Sequence, residues 1–329
     1  MCDRSNRRFG SPMVTPPQKE SATDPSPDPV PLRPDAVPAS VSVAALRAIL
    51  QANRPPPRCG VSADNRHVVF VHGLGHDAWD FGPLVARLPD GVVGHAVDLP
   101  GFGPGLLDAP PTTLSLAMLE QSVLSQARAC PRPPVVVASS LGGHAALGAA
   151  LAHPEAFSGL CLLAPGGLIE IPRPTQAVLK KYYAVDAIKG RSDDEIVANS
   201  RRIFARPHPL GEQLAARKLA WHRSPDDVKQ RFALPFSTVI DDVFVQPVLP
   251  HVHRLRDRLP ILVIFGAGDV VVPLVAGRVL EDRCRARLVI LDRVGHCPHL
   301  EAPDATAELV FDFVCATFAA APVVPSTGP

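Results

Sequence analysis

Charge of one sign is the first thing this chain lacks. Its 329 residues carry 33 Lys and Arg against 32 Asp and Glu, a formal net charge of +1. A polyanion binder usually shows a basic stripe, and none stands out, so nucleic acid is not expected as a partner. Paired cysteines are lacking too. Cys2, Cys59, Cys130, Cys161, Cys284, Cys297 and Cys315 are scattered, odd in number and without a Cys-x-x-Cys spacing. Unpaired thiols in a reducing compartment fit this better than a disulfide framework, which points to the cytoplasm. Arg4, Arg7 and Arg8 have no apolar run behind them, so no secretory signal is expected. The most lipid-like stretch, 135–152, is interrupted by Ser139, Ser140, His144 and several glycines. It reads as a strand, a turn and a buried helix, not a membrane span.

Signatures of metal and nucleotide binding are missing as well. There is no His-Glu-x-x-His, no Cys cluster, no Gly-x-Gly-x-x-Gly after a strand and no phosphate loop. His251 and His253 could share one side of an extended segment, but they lack a third ligand and read as solvated. No metal and no cofactor is expected. No internal repeat is found.

What is present falls into clear segments. Prolines recur from Pro16 to Pro38 among Ser, Asp and Thr, so residues 1–40 are expected to be a disordered tail with nothing to bury. Residues 41–65 read as a short helix and a linker, broken at Pro55-Pro56-Pro57. Six short apolar runs then follow, at 67–71, 92–99, 134–138, 160–163, 261–265 and 288–291. Each is closed by Gly, Pro, Asp or Ser, as suits strands covered on both faces. Helical patterns lie between them at 80–88, 114–129, 141–152, 274–284 and 305–318. The expected fold class is α/β, a mostly parallel central sheet flanked by helices. Its core is divided into 66–167 and 259–320, with a tail at 321–329.

Residues 168–258 break the alternation. The segment is mainly helical in pattern and sits between the fourth and fifth core strands. An insertion there lies over the carboxyl ends of the strands, where open α/β sheets bind ligands. It reads as a lid, with Tyr182, Tyr183, Trp221, Phe232 and Phe236 as candidates for lining an apolar pocket. A purely structural helical insert is the alternative.

The central chemical signal is Val135-Val136-Val137-Ala138-Ser139-Ser140-Leu141-Gly142-Gly143-His144. A strand turning sharply into a helix strains its turn residue and needs small neighbours two positions away on each side. Ala138 and Gly142 meet that demand around Ser140. Val137 and Leu141 would fail it around Ser139. This stretch resembles the nucleophile elbow of the α/β-hydrolase superfamily, with Ala138 in place of the usual first glycine. Further matches occur in the family's order: His72-Gly73-Leu74-Gly75, then Asp98-Leu99-Pro100-Gly101-Phe102-Gly103. Phe265-Gly266-Ala267-Gly268-Asp269 and Gly295-His296-Cys297-Pro298-His299-Leu300-Glu301 follow. The resemblance covers about residues 66–318. The antiparallel strand pair that family members often place before the first of these loops has no clear counterpart.

The resemblance implies a triad of Ser140 as nucleophile, His296 as base and Asp269 as the acid that orients the base. It also implies an oxyanion hole built from the backbone amides of Leu74 and Leu141. Asp241 and Asp242 are competing acids. His72 is expected to shape its loop, Asp98 to form a turn and His299 to pack nearby. The activity expected is hydrolysis of a carboxylic ester or related acyl bond in a small apolar substrate, through an acyl-enzyme. An acyltransferase with the same triad, or a non-catalytic ligand-binding protein on this fold, remains the alternative.

Overall fold

The computed structural model describes residues 13–14, 32–55, 65–109, 112–245 and 248–320. Six strands make the body of one parallel sheet: β2 (Arg66–Val71), β3 (Val92–Val97), β4 (Val135–Ser139), β5 (Gly159–Leu163), β6 (Ile261–Gly266) and β7 (Arg287–Leu291). A two-residue strand, β1 (Met13–Val14), pairs with Ile290 and Leu291 at the β7 edge. The order is β1-β7-β6-β5-β4-β2-β3, and every pairing is parallel. Among the described residues no antiparallel pair precedes β2.

The strands read as apolar runs because both faces of the sheet are covered. Every residue of β4, β5 and β6 is buried. Side chains alternate between two cores, as the period of two demands. Val136, Ala138 and Leu162 face one core, with α3 (Leu116–Arg128), α4 (Leu141–Ala152) and α10 (Val275–Cys284). Val135, Val137 and Leu163 face the other, with α2 (Gly82–Val85) and α12 (Pro303–Ala320). The helix expected at 80–88 is a 3-10 turn, Ala78–Phe81, followed by the single turn of α2. Pro83, with no amide to donate, opens α2, and Pro89 follows it closely.

Between β5 and β6 the chain forms α5 (Arg173–Tyr182), α6 (Val185–Lys189), α7 (Asp193–Arg201), α8 (Pro209–His222) and α9 (Asp226–Val245). The remaining short helices are α1 (Val43–Gln51) and α11 (Pro298–Glu301). The insert is fastened to the rest of the fold by a buried ion pair. Arg217 of α8 meets Asp77 at 2.7 Å and also donates to the carbonyls of Ile49 and Leu50 at the end of α1.

Part of the expected tail is folded. Val37 and Val41 are buried with Leu46, Leu50 and Trp221, and Arg223 donates to the carbonyl of Val37. The proline content around them is compatible with burial, because the short 3-10 turn Pro34–Ala36 brings Val37 inward without needing a proline amide. The other residues before 32, and 321–329, lie outside the described residues. Among the described residues no helix is long and apolar enough to cross a membrane.

Candidate active site

The site starts where β4 becomes α4. Ser140 stands at the junction with φ +50° and ψ −118°, a conformation most L residues avoid. Hydrogen bonds hold it there. Its N–H donates to Leu163 O on β5 at 2.9 Å, and its carbonyl accepts from Gly143 N at 2.9 Å and Gly166 N at 3.0 Å. The neighbours must be small for a visible reason. A Cβ on Gly142 would lie 2.4 Å from the His72 carbonyl oxygen and 2.8 Å from that of Val71. Ser139, one residue earlier, is buried in the strand, whereas Ser140 is only half-buried.

Two loops at neighbouring strand ends supply the partners. After β6, the buried Asp269 side chain divides its two oxygens. Oδ1 accepts from Val271 N at 2.8 Å and Val272 N at 3.0 Å, and Oδ2 lies 2.9 Å from His296 Nδ1. After β7, His296 donates its backbone N–H to Ile203 O at 2.7 Å. The insert approaches so closely that a Cβ on Gly295 would sit 2.4 Å from Ile203 O. Glu301 locks this junction by accepting from Gly295 N at 2.7 Å and Ala205 N at 3.0 Å. Burial pushes its carboxyl group upward. The sequence reading quoted Glu301 without assigning it a role.

The other flagged residues have different work. His72 accepts from Leu99 N at 2.9 Å and faces the Gly73 carbonyl at 2.8 Å, which fixes the loop that carries Leu74. Asp98 accepts from Ala78 N and pairs with Arg54. His299 is fully buried and stacks on Phe81. Asp241 pairs with the exposed Lys180, and Asp242 accepts from Leu116 N at the start of α3. Both competing acids are thus engaged away from His296. Next to the site, burial pushes the His76 imidazole down, and its Nδ1 lies 2.6 Å from Asp80. Burial pushes the Asp80 carboxyl the other way, but His76 and His299 outweigh it and hold that carboxyl well below the usual range.

A cavity of about 280 Å³ brings Ser140, His296, Leu74, Leu141, Tyr182, Tyr183 and Phe236 together. Trp221 and Phe232 do not line it. Their rings stack at 5.0 Å and border a smaller cavity of about 70 Å³ next door. Trp221 sits in the cluster around Val37, Val41 and Leu46, so its apolar surface packs α8 against α1. Residues absent from the sequence reading also line the larger cavity, among them Arg191, Asn199, Arg202 and Lys218 of the insert.

One group of possible metal ligands exists among the described residues: His67, His95 and Cys130, whose ligand atoms lie within 4.8 Å of one another. None lines the cavity. His67 Nδ1 and His95 Nε2 are 3.0 Å apart, so one ring donates to the other, an arrangement that needs no ion. His251 and His253 are exposed around the 3-10 turn Val252–Leu255.

A parallel sheet, a strained serine at its central strand end and a carboxylate–imidazole pair on the next loops are the hallmarks of one class. The model of the alpha/beta hydrolase family matches residues 68–309, and the chain belongs to that family and is a hydrolase. Among its relatives, a pimeloyl-[acyl-carrier protein] methyl ester esterase of Neisseria meningitidis serogroup B is 27% identical over 274 residues. That match spans 76% of this chain and 93% of the esterase. Among solved structures, a bacterial membrane phospholipase A superposes with a TM-score of 0.64 at 21% identity, covering 84% of this chain and 92% of the other. The 2-hydroxy-6-oxo-6-phenylhexa-2,4-dienoate hydrolase of Rhodococcus sp. strain RHA1 superposes with a TM-score of 0.63 at 22% identity, covering 77% and 92%.

Proposed function

We propose that this chain is a serine hydrolase that cleaves a carboxylic ester or related acyl bond through an acyl-enzyme. The observation that carries the reading is the 2.9 Å contact of His296 Nδ1 with Asp269, in a loop whose imidazole shares a cavity with the strained Ser140. Asp269 fixes the proton on Nδ1, which leaves Nε2 free to accept the Ser140 proton as the hydroxyl attacks the acyl carbon. The protonated imidazole then gives that proton to the leaving oxygen. Water repeats the cycle on the acyl-enzyme, with His296 taking its proton and returning it to Ser140. Negative charge on the acyl oxygen falls to the backbone amides of Leu74 and Leu141. Each such donor is worth about 2.7–4 kcal/mol in the transition state, and the positive end of α4 acts in the same direction.

The substrate in this reading is a small ester with an apolar portion. Leu179, Tyr182, Tyr183, Phe236 and Ile240 of the insert border the cavity, which supports the insert as a lid. The esterase name of the relatives points the same way. Among the described residues Cys161, Cys284, Cys297 and Cys315 form no disulfide, which supports a reducing compartment.

The test is covalent labelling. A fluorophosphonate should modify Ser140 in the wild-type protein, and Ser140→Ala should abolish both label and turnover, a loss on the order of a millionfold. Ser139→Ala should keep the label. A label on Ser139, or one that survives Ser140→Ala, would overturn the assignment.

A further inference from the structure

We propose that the insert side of the cavity is an anion-binding subsite, in which Lys218, Arg202 and Arg191 receive a carboxylate or phosphoryl group on the substrate. The inference rests on the ester-hydrolase reading and narrows its substrate class. The preferred ester carries an anionic group joined to the reacting acyl bond through an apolar segment.

The charge balance of the cavity is the first argument. Among the described residues that line it are three permanent or near-permanent cations, Lys218, Arg202 and Arg191, and no Asp or Glu. The smaller neighbouring cavity shares Arg191, Asn199, Lys218 and Phe236 with it, adds Lys189 and Lys229, and is again without a lining carboxylate. Lys189 is already paired with Asp226 at 2.8 Å, so it does not count toward the excess. An apolar pocket with one sign of charge and low-dielectric walls focuses its field on whatever enters.

The state of each cation is the second argument. Lys218 of α8 is partly buried yet makes no salt bridge within 4.0 Å among the described residues. Asp80 acts on it from beyond that distance, but the carboxylate is held by His76 at 2.6 Å. Burial pushes the Lys218 ammonium below its ordinary value, so the charged form is under-compensated. An anion brought beside it supplies the missing partner through a charge-assisted hydrogen bond. Arg191 is pre-oriented: its guanidinium lies over the Tyr182 ring at 4.3 Å and donates to the Tyr182 carbonyl at 2.8 Å. Nη2 is used, and the remaining N–H groups of the fork stay available. Arg202 is exposed, follows α7 directly and makes no salt bridge among the described residues. It suits capture of an incoming charge.

Matched ester pairs test this. The acyl-side pair is 4-nitrophenyl hydrogen adipate and its methyl-capped neutral diester. The alcohol-side pair is 5-carboxypentyl butyrate and its methyl ester. A third pair, 4-nitrophenyl 6-phosphonohexanoate and its dimethyl phosphonate, separates a phosphoryl from a carboxylate source. In at least one pair the anionic member should have a kcat/KM higher by about tenfold or more. Lys218→Met and, separately, Arg202→Gln should each reduce that ratio severalfold, and Lys218→Arg should retain it. Arg202 is exposed, so its variant keeps the test valid if Lys218→Met fails to fold. Ratios near one in every pair, with the neutral esters still cleaved, would overturn the subsite and leave the hydrolase reading standing. If no ester is cleaved and no fluorophosphonate label forms, the hydrolase reading falls instead. Calorimetric binding of adipic monoanilide and its methyl ester to the wild-type protein then decides the subsite. Tighter binding of the anion supports it, and equal binding refutes it.

Discussion

Replacing Asp269 by asparagine changes one atom, and the surrounding hydrogen bonds dictate the outcome. Val271 N and Val272 N both donate to Oδ1, at 2.8 and 3.0 Å. In the variant these two donors select the orientation in which the amide oxygen faces them. The opposite orientation would set an NH2 group against two N–H groups, and an unsatisfied buried donor costs about 1–3 kcal/mol. Val272 is buried and Val271 exposed, so most of the cost falls on Val272 N and the flip is unfavourable by about 1–3 kcal/mol. The amide NH2 therefore points at His296 Nδ1. That nitrogen must now accept, so the proton moves to Nε2, and Nε2 can no longer take a proton from Ser140. By analogy with serine proteases the loss in kcat is about ten thousandfold, or about 5.4 kcal/mol at 1.36 kcal/mol per decade. The assay is steady-state hydrolysis of 4-nitrophenyl butyrate, with thermal unfolding as the fold control, since the change is isosteric. Asp242→Asn is the comparison. It should weaken the start of α3 by no more than about 1 kcal/mol and leave turnover near wild type. A folded Asp269→Asn enzyme within tenfold of wild-type kcat would refute the reasoning.

Arg217→Met strands the buried Asp77 carboxylate, and with Arg54 still 3.6 Å away the cost should be about 3 kcal/mol, read by denaturant unfolding. Trp221→Ala should cost about 3–5 kcal/mol while preserving acyl-chain preference; Phe236→Ala should shift that preference, because its ring lines the cavity with Ser140. The thermal midpoint should fall as pH drops from 7.5 to 5.5. The folded His76 pKa lies below its ordinary 6.5, so the unfolded chain takes up that proton first and stability is lost across the window beneath 6.5. The stability from Asp80, held low, is retained until the pH falls below about 4. A midpoint that rises on acidification would contradict this. Deletion through Ser40 should lower the midpoint by about 3–8 °C relative to deletion ending at residue 31, because Val37 loses its burial.

Much of this molecule was legible because its strands are buried on both faces. The apolar runs at 134–138, 160–163 and 261–265 fall on β4, β5 and β6, which are buried along their whole length, as a parallel sheet covered on both faces demands. Flanking volume alone places the strand-to-helix turn at Ser140 and not at Ser139, and the 2.4 Å approach of a Cβ on Gly142 to the His72 carbonyl oxygen is the contact behind that rule. The insert was opaque in detail. Lys218 and Arg202 on helical segments look like a solvated face, since nothing in a helical repeat tells which polar side will meet a cavity. Trp221 borders the smaller cavity and not the one that holds Ser140, a distinction the helical pattern could not make. An aromatic residue in a helix packs as readily as it lines, and only the neighbouring Val37 and Val41 decide which. Those two valines were themselves hidden by the prolines around them.

The fastening of α8 has a mechanical consequence. Lifting that helix would drag Arg217 from Asp77 and break its bonds to the carbonyls of Ile49 and Leu50, exposing a charge pair that is now buried. Helix α5 carries no such moorings: none of its residues is buried, yet Leu179 and Tyr182 form part of the cavity wall. The insert is therefore moored firmly at α8 and only lightly at α5. At the firm end, Arg217 holds α8, the helix that also carries Lys218, against Asp77 and the end of α1. Helix α5 buries little and is tied to α9 by the exposed Lys180–Asp241 pair alone among ion pairs of the described residues, so within the insert its amides should exchange first with solvent deuterium.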